Sequence, residues 1–350
     1  MPSRRDFLRS GTLSASLFVG ASSLSSSPLP NARPLPDGIV PEFAPLLTPA
    51  DQFRDVSRGN PKPHTLSGDA LVQAGLTEQT WRLEIVADST TDELVKEATS
   101  VERQFTVADG TAIDLPRLQQ LFTDHGVRYL KAIQCLNIPQ PLGQGLWEGV
   151  PLSEVLRLCG RMRNVRRVYY SGFHNNDPQQ IFQSSLSYTQ AVETAPGDPP
   201  VFLAWKLNGE PIPLERGGPV RMVVPWAYGF KSIKWLQRIT LTNDHRANDT
   251  YAKQNNDPDS PMKTAAYLEQ LPERFSAGDT ILMSGQVVSG FSGLQHVEGW
   301  LRRVEESAAP VEFDGDEWRA AEWRTCVLEP EPAHWGDVLP SGVSSHQLVG

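Results

Sequence analysis

Along the first two thirds of the chain, alternating apolar and polar residues rich in β-branched and aromatic side chains predict a series of strands. They are WRLEIVA (81–87), RQFTVA (103–108), VRYLKAIQC (127–135), VRRVYYSGF (165–173), VFLAWKLNGEPIP (201–213, with a turn at Asn208 and Gly209), VRMVVPW (220–226) and KWLQRITLT (234–242). Helical spacing is confined to short segments. One surrounds Leu115 to Phe122 and another spans Ser187 to Glu193. A third is PLSEVLRLCGRM, Pro151 to Met162, where Leu152, Val155, Leu156 and Leu158 share a face, Pro151 suits a first turn and Gly160 marks the end. Ahead of it, LNIPQPLGQGLWEGV is too rich in Pro and Gly to predict regular structure.

The pattern changes at DHRANDTYAKQNNDPDSP, Asp244 to Pro261, which is polar and turn-forming and reads as a linker or long surface loop. Beyond it DTILMSGQVVSG, LQHVEGWLRRV and EWRAAEWRTCVL alternate with period two between Gly-rich turns and predict a small β-sandwich over 262–350. Helices and strands thus give an α+β chain: a mixed α/β domain over 65–245, then the sandwich. Residues 31–64, with SPLPNARPLP and GNPKPHT, read as a Pro-rich arm. Composition agrees, since 27 Gly and 29 Pro in 350 residues favour turns over helical bundles.

Charge and the N-terminus narrow the function classes. SRRDFLR, followed by the weakly apolar SGTLSASLFVGASSLSSS, reads as a twin-arginine export signal over 1–30, which predicts a periplasmic protein exported already folded with its cofactor. The formal net charge is −9, and the signal segment, with Arg4, Arg5 and Arg9 against Asp6, makes it less negative rather than more. An acidic chain argues against nucleic acid and anionic membranes as partners. Three cysteines, an odd number, do not make a disulfide framework even in an oxidising compartment.

Two constellations carry candidate chemistry. Cys135 closes a strand at the mouth of a Gly/Pro-rich loop, where a thiolate suits copper(I), zinc, iron–sulfur or molybdenum; a packed apolar thiol is the alternative. ERGGPVRMVVPWAYGFKSIKWL, Glu215 to Leu236, sets Arg221, Lys231, Ser232 and Lys234 among apolar strands, a collection of cations, hydroxyl and backbone amides that suits a phosphate group. A solvated surface turn is the alternative there. Cys159, on the apolar face of a helix, and Cys326, in a terminal strand, read as packing; Trp226 and Tyr228 read as core or as funnel lining.

The ordered run of Cys135 in LKAIQCLN, then GLWEGVPL, NGEPIP, GGPVR, VVP and GFKSIKW resembles the sulfite oxidase family of molybdopterin oxidoreductases. The resemblance covers roughly Leu47 to Asn243, and SGQVVSGFSGLQHVEGW is similar to that family's immunoglobulin-like dimerisation domain. It implies a sulfite-oxidase-like molybdopterin-binding domain followed by an immunoglobulin-like β-sandwich, and a molybdenum–molybdopterin cofactor. Cys135 would be the protein ligand to molybdenum. Arg221, Ser232 and Lys234, with the Ile233 backbone, would hold the cofactor phosphate, with Lys231 an added cation. Arg216 stands where relatives carry His or Asn against the pterin, and Arg58 or Asn60 in SRGNPKP corresponds to an arginine- and asparagine-bearing N-terminal motif. His174 would contact pterin or substrate.

Two departures bear on substrate. The residues after the thiol, Leu136 to Gln140, offer no arginine for an anion, and Phe182 in IFQSSLS replaces the tyrosine expected in the molybdenum pocket. HNNDPQQIF and VVPWAYGFK are instead similar to the periplasmic methionine sulfoxide reductase catalytic subunit. The resemblance therefore implies oxygen-atom transfer to or from a small sulfur compound, with weak or absent sulfite oxidation, and electron exchange with a separate redox protein such as a cytochrome. The rivals are a sulfoxide reductase and a cofactor-free binding or scaffold protein on the same fold. The dimerisation-type second domain is compatible with a homodimer.

Overall fold

The structure, a computed structural model, describes residues 46–329 except 89–96, 139, 197, 248, 251–256, 271–273, 275, 277, 281, 291–293 and 302–310. The export-signal segment (1–30) and the first part of the Pro-rich arm (31–45) lie outside the described residues. The described chain falls into two compact units, one over Leu46–Met262 and one beginning at Lys263.

In chain order the first unit contains α1 (Gly68–Gln73), β1 (Glu84–Ala87), β2 (Ser100–Val101), α2 (Leu115–His125), β3 (Val127–Ile133), β4 (Gly143–Pro151), α3 (Leu152–Arg157), β5 (Met162–Arg163), β6 (Arg167–Gly172), β7 (Gln183–Ser187), α4 (Tyr188–Val192), β8 (Phe202–Leu207), β9 (Glu210–Pro211), β10 (Arg221–Val223) and β11 (Leu236–Thr242). Local chemistry explains the helix starts. Asp114 caps α2 by accepting from the Arg117 N–H, and Ser187 and Gln190 form a capping box at α4.

Two sheets organise the unit. One runs β10-β8-β4-β3, antiparallel throughout, with β9 also paired to β8. The other runs β1-β11-β6-β7; β1 is parallel to β11 and the remaining pairs are antiparallel. Trp81, Leu118, Val150, Leu156, Cys159, Leu203 and Leu236, drawn from both sheets and from α2 and α3, belong to one buried cluster. Cys159 is fully buried there, and burial pushes its thiol up to about 11, which makes it an inert packing group.

Several elements differ from the sequence expectation. The Gly-rich stretch is a regular strand, β4, buried along almost its entire length. A Cβ at Gly149 would sit 1.9 Å from the Leu203 carbonyl oxygen, and one at Gly145 would sit 2.3 Å from the Leu207 side chain. These glycines are therefore what lets β4 lie between β3 and β8, not turn signals. Among the described residues, RQFTVA forms a single β-bridge, Phe105 with Ile85, rather than a strand. The polar segment after Asp244 is also less open than predicted, since Asp249 is buried.

The second unit, taken by itself, pairs β12 (Ala265–Gln270) with β13 (Ser284–Val288) and β14 (Glu298–Gly299) with β15 (Arg324–Thr325). Glu317–Ala320 of EWRAA, expected to start a strand, instead lie in a short helix, α5 (Asp316–Ala320), whose first turn carries Asp316 and Glu317 at the favourable end of the helix dipole. Those two strand pairs are what the described residues show of the sandwich expected over 262–350.

Candidate functional site

The first unit holds a cleft of about 240 Å³ lined by residues from four separate parts of the chain: 53–59, the end of β3 and the loop after it, 172–182, and the run from Arg216 to Trp235. At the end of β3 the backbone turns so that Cys135 is half-buried, its Sγ donating to Asn137 Oδ1 at 2.8 Å. Gln134 fixes this turn by donating to the carbonyls of Cys135 and Ile138. The Gly229 N–H donates to the Gln134 carbonyl at 2.7 Å, which ties the thiol loop to the start of the basic turn. Ile133, Ile138, Leu142 and Phe230 give this part of the lining an apolar character.

Cations are packed together further along the lining. Arg221, buried, donates to the carbonyls of Arg216 and Ser232, both at 2.7 Å, and its guanidinium lies over the Trp147 ring. Arg216, also buried, donates to the Phe53 carbonyl at 2.7 Å and pairs with Glu215. Lys234 donates to Ser57 Oγ and the Glu215 carbonyl, each at 2.7 Å, and meets Asp55 at 3.4 Å. Ser232 Oγ accepts from the Val224 N–H. Gly217, at φ +103°, is required beside Lys234, because a Cβ there would lie 2.7 Å from the lysine's own Cβ.

Electrostatically this cluster is under-compensated. Burial and then the neighbouring Arg221 lower Lys234 to about 7, with Asp55 pulling the other way. Burial and then Arg216 lower Arg221 to about 9, and Lys131, held by the Pro225 and Ala227 carbonyls, falls to about 7 through burial and Arg221. Asp55 is held below the usual carboxylate range: burial opposes this, and hydrogen bonds from Ser57 and Lys62 outweigh it. The Nε atoms of Arg216 and Arg221 are buried without a hydrogen-bond partner. Mutually repelling cations with unsatisfied donors are relieved by an anion that presents several acceptor oxygens. The residues present thus fit a group carrying both a phosphate and a soft metal, the thiol and the cations lining the same cleft.

Of the residues named from sequence, Cys135, Arg58, His174, Arg216, Arg221, Ser232, Ile233 and Lys234 line this cleft. Asn60 does not; it meets the lining through Gln180, whose Oε1 accepts from the Asn60 N–H. Lys231 is a correction: its amine points to the Ser185 carbonyl and Asp249 and is fully buried, so it is not an added cation of the cleft. His174 Nδ1 donates to the Gly172 carbonyl at 2.9 Å. The structure also supplies an arginine that the segment after Cys135 lacks, because Arg58 lies over the Phe182 ring at 4.9 Å. Sequence reasoning missed Phe53, Asp55, Ser57, Gln180 and Trp235. The first three sit in the arm, where only the Asp-x-Ser turn spacing of Asp55 and Ser57 hinted at a fixed structure.

Residues 74–250, half of the chain, match the family described as oxidoreductase molybdopterin binding domain. The chain belongs to that family. Membership makes it a molybdopterin oxidoreductase of the sulfite oxidase type, with molybdenum–molybdopterin as its cofactor. Among curated relatives of this molybdopterin domain, the nitrate reductase [NADPH] of Fusarium oxysporum is 34% identical over 110 residues, 31% of this chain and 12% of that protein. The inducible nitrate reductase [NADH] 1 of Glycine max is 33% identical over 113 residues, 32% of this chain and 13% of that protein. The protein-methionine-sulfoxide reductase catalytic subunit of Xanthomonas campestris pv. campestris is 38% identical over 105 residues, 27% of this chain and 30% of that protein. The chain thus spans 12 to 30% of the length of these relatives. The sulfane dehydrogenase SoxCD of Paracoccus pantotrophus superposes with a TM-score of 0.40 at 18% identity, over 59% of this chain and 55% of that one. The family match begins at residue 74, so the cleft wall at 53–59 lies outside it.

Proposed function

We propose that the chain transfers an oxygen atom to or from a small sulfur compound, with Cys135 as the protein ligand to molybdenum and Arg216, Arg221, Ser232, the Ile233 backbone and Lys234 holding the phosphate-bearing part of the pterin. One observation carries the reading: a half-buried thiol and an under-compensated cation cluster line the same cleft. The bound cofactor supplies oxygen-atom transfer and the accompanying two-electron change. The chain's residues set the conditions for it.

As a ligand Cys135 would be a thiolate, so its sulfur could no longer donate to Asn137 Oδ1 and would accept instead, for which the Asn137 amide would have to present its NH2. Ile138, Phe182 and Phe230 line the cleft with apolar surface that would limit water beside the thiol. The residues that follow the thiol, Asn137 and Ile138, carry no charge and suit a neutral sulfoxide, a reading supported by the methionine sulfoxide reductase relative; Arg58, over Phe182 in the same cleft, is the cation that an oxyanion would use. Electrons pass to or from a separate redox protein such as a cytochrome. The SRRDFLR segment supports export by the twin-arginine route to the periplasm, and the period-two alternation beyond Met262 supports an immunoglobulin-like domain compatible with a homodimer.

The test is a pair of variants. Cys135→Ser is expected to lose at least ~100-fold in turnover of methionine sulfoxide or sulfite with a dye as redox partner, while Cys159→Ser keeps wild-type turnover. Equal loss in both sinks the ligand assignment. Full molybdenum content with no turnover of either compound by the wild-type protein sinks the substrate class, and rapid turnover of micromolar sulfite sinks the preference for a sulfoxide.

A further inference from the structure

Gly229, Phe230, Ser232, Ile233, Lys234 and Trp235 all line the cleft; Lys231, in the middle of that run, does not. Its ammonium lies 2.7 Å from the Ser185 carbonyl and 3.2 Å from Asp249 Oδ2, with side-chain exposures of 0% for Lys231 and 1% for Asp249. Ser185 Oγ donates to the same Asp249 oxygen at 3.0 Å and accepts from Arg167. The backbone of Lys231 is held as well, its carbonyl accepting from the Tyr170 hydroxyl at 2.9 Å. One residue is thus gripped at both its side chain and its carbonyl.

The next residue is the one the cofactor side uses. The Ser232 carbonyl accepts from Arg221 and its hydroxyl accepts from the Val224 N–H, and Lys234 follows two positions later. The turn at Gly229–Lys231 is a single 3-10 turn, too short to hold its own geometry. Asp249 in turn belongs to a segment strapped onto β6 and β7. Arg167 donates to the His245 carbonyl, Tyr169 to the Arg246 carbonyl, and Thr250 pairs with Gln183 through both backbone and hydroxyl.

A buried ion pair is a weak source of stability, because its desolvation offsets most of its Coulomb gain, and replacing both partners by apolar groups is often neutral. What such a pair does supply is a fixed geometry. We propose that Lys231 and Asp249 are positioning residues: their ion pair sets the 229–234 turn for the cofactor phosphate and couples cofactor binding to the order of the 244–250 segment. The proposal rests on the assignment of Arg221, Ser232 and Lys234 to that phosphate. It goes beyond it by giving an energetic link between the cleft and the chain around Asp249. Linkage is reciprocal, so the bound cofactor must steady 244–250 as much as 244–250 steadies the cofactor site.

The experiment compares wild type, Lys234→Ala and the double variant K231M/D249L, each as the full chain with and without cofactor. Circular dichroism and melting report folding, pterin and molybdenum content after gel filtration report retention, and hydrogen exchange reports residues 244–250. The double variant is expected to melt close to wild type yet to retain about tenfold less cofactor; wild-type 244–250 is expected to exchange more slowly with cofactor than without. Retention equal to wild type in a folded double variant overturns the proposal. If the double variant does not fold, the exchange comparison in wild type decides alone, and equal exchange in the two states overturns it. Unchanged retention in Lys234→Ala fails the phosphate assignment instead, which keeps the two failures apart.

Discussion

Lys231 and Lys234 stand three residues apart in one turn, FKSIK, and the fold treats them in opposite ways. The first ends against a carboxylate in a sealed network with Ser185, Tyr170 and Arg167. The second ends in a cleft beside two arginines that repel it, with Asp55 as a partial counter-charge. A closed charge holds shape; an open one waits for a ligand. The difference separates structural from binding cations more sharply than residue type or spacing does, and each of the following measurements strains it.

The largest effect is expected from breaking the closed side one partner at a time. Asp249→Ala leaves the Lys231 ammonium buried without its carboxylate and is expected to cost about 3–5 kcal/mol of folding stability, read by denaturant unfolding. Lys234→Ala in the cofactor-free protein is expected to cost within about 1 kcal/mol, since Asp55 keeps Ser57 and Lys62 as partners. Comparable losses in the two variants erase the distinction.

A smaller effect is expected with pH. Lys234 and Lys131 are both lowered to about 7 in the folded protein, from 10.5. Between these values the unfolded chain binds more protons than the folded one, so the cofactor-free protein gains stability as pH rises from about 7 toward 10. A bound phosphate favours charged Lys234, so it flattens this rise, and cofactor retention weakens as pH climbs. Lys234→Met should reduce the slope of melting temperature against pH without abolishing it, because Lys131 titrates in the same window. A slope unchanged by Lys234→Met places that lysine outside the under-compensated cluster.

Much of this was legible in the sequence because its signals are local. Period-two alternation located β3, β6, β8, β10 and β11, and the ordered motifs named Cys135, Arg221, Ser232 and Lys234, all of which line the cleft. What failed depended on distant partners. The partner of Lys231 is Asp249, in a stretch whose polarity reads as open loop. The glycines of β4 read as turn signals because their use, a close approach to Leu203 and Leu207, appears only once β8 is alongside. Arg58 and Asp55 belong to an arm whose prolines predict extended chain, and nothing nearby predicts that it forms the wall of a cleft built 80 to 180 residues later.

That arm gives the finest test of the comparison. Asp55 raises the pKa of Lys234 against burial and the two arginines, and it also accepts from Ser57 and Lys62. Asp55→Asn removes the charge and keeps the shape, so Lys234 loses its proton at a lower pH than before. With cofactor bound the phosphate supplies most of the counter-charge, so the pH at which half the cofactor is lost should move down by only a fraction of a unit. The sign distinguishes two roles for the carboxylate. Had Asp55 served mainly to compete with the phosphate for Lys234, its removal would strengthen retention and move that midpoint up. A downward shift means that the open lysine depends on a borrowed charge to remain a cation until its ligand arrives, whereas the closed one carries its counter-charge permanently at Asp249.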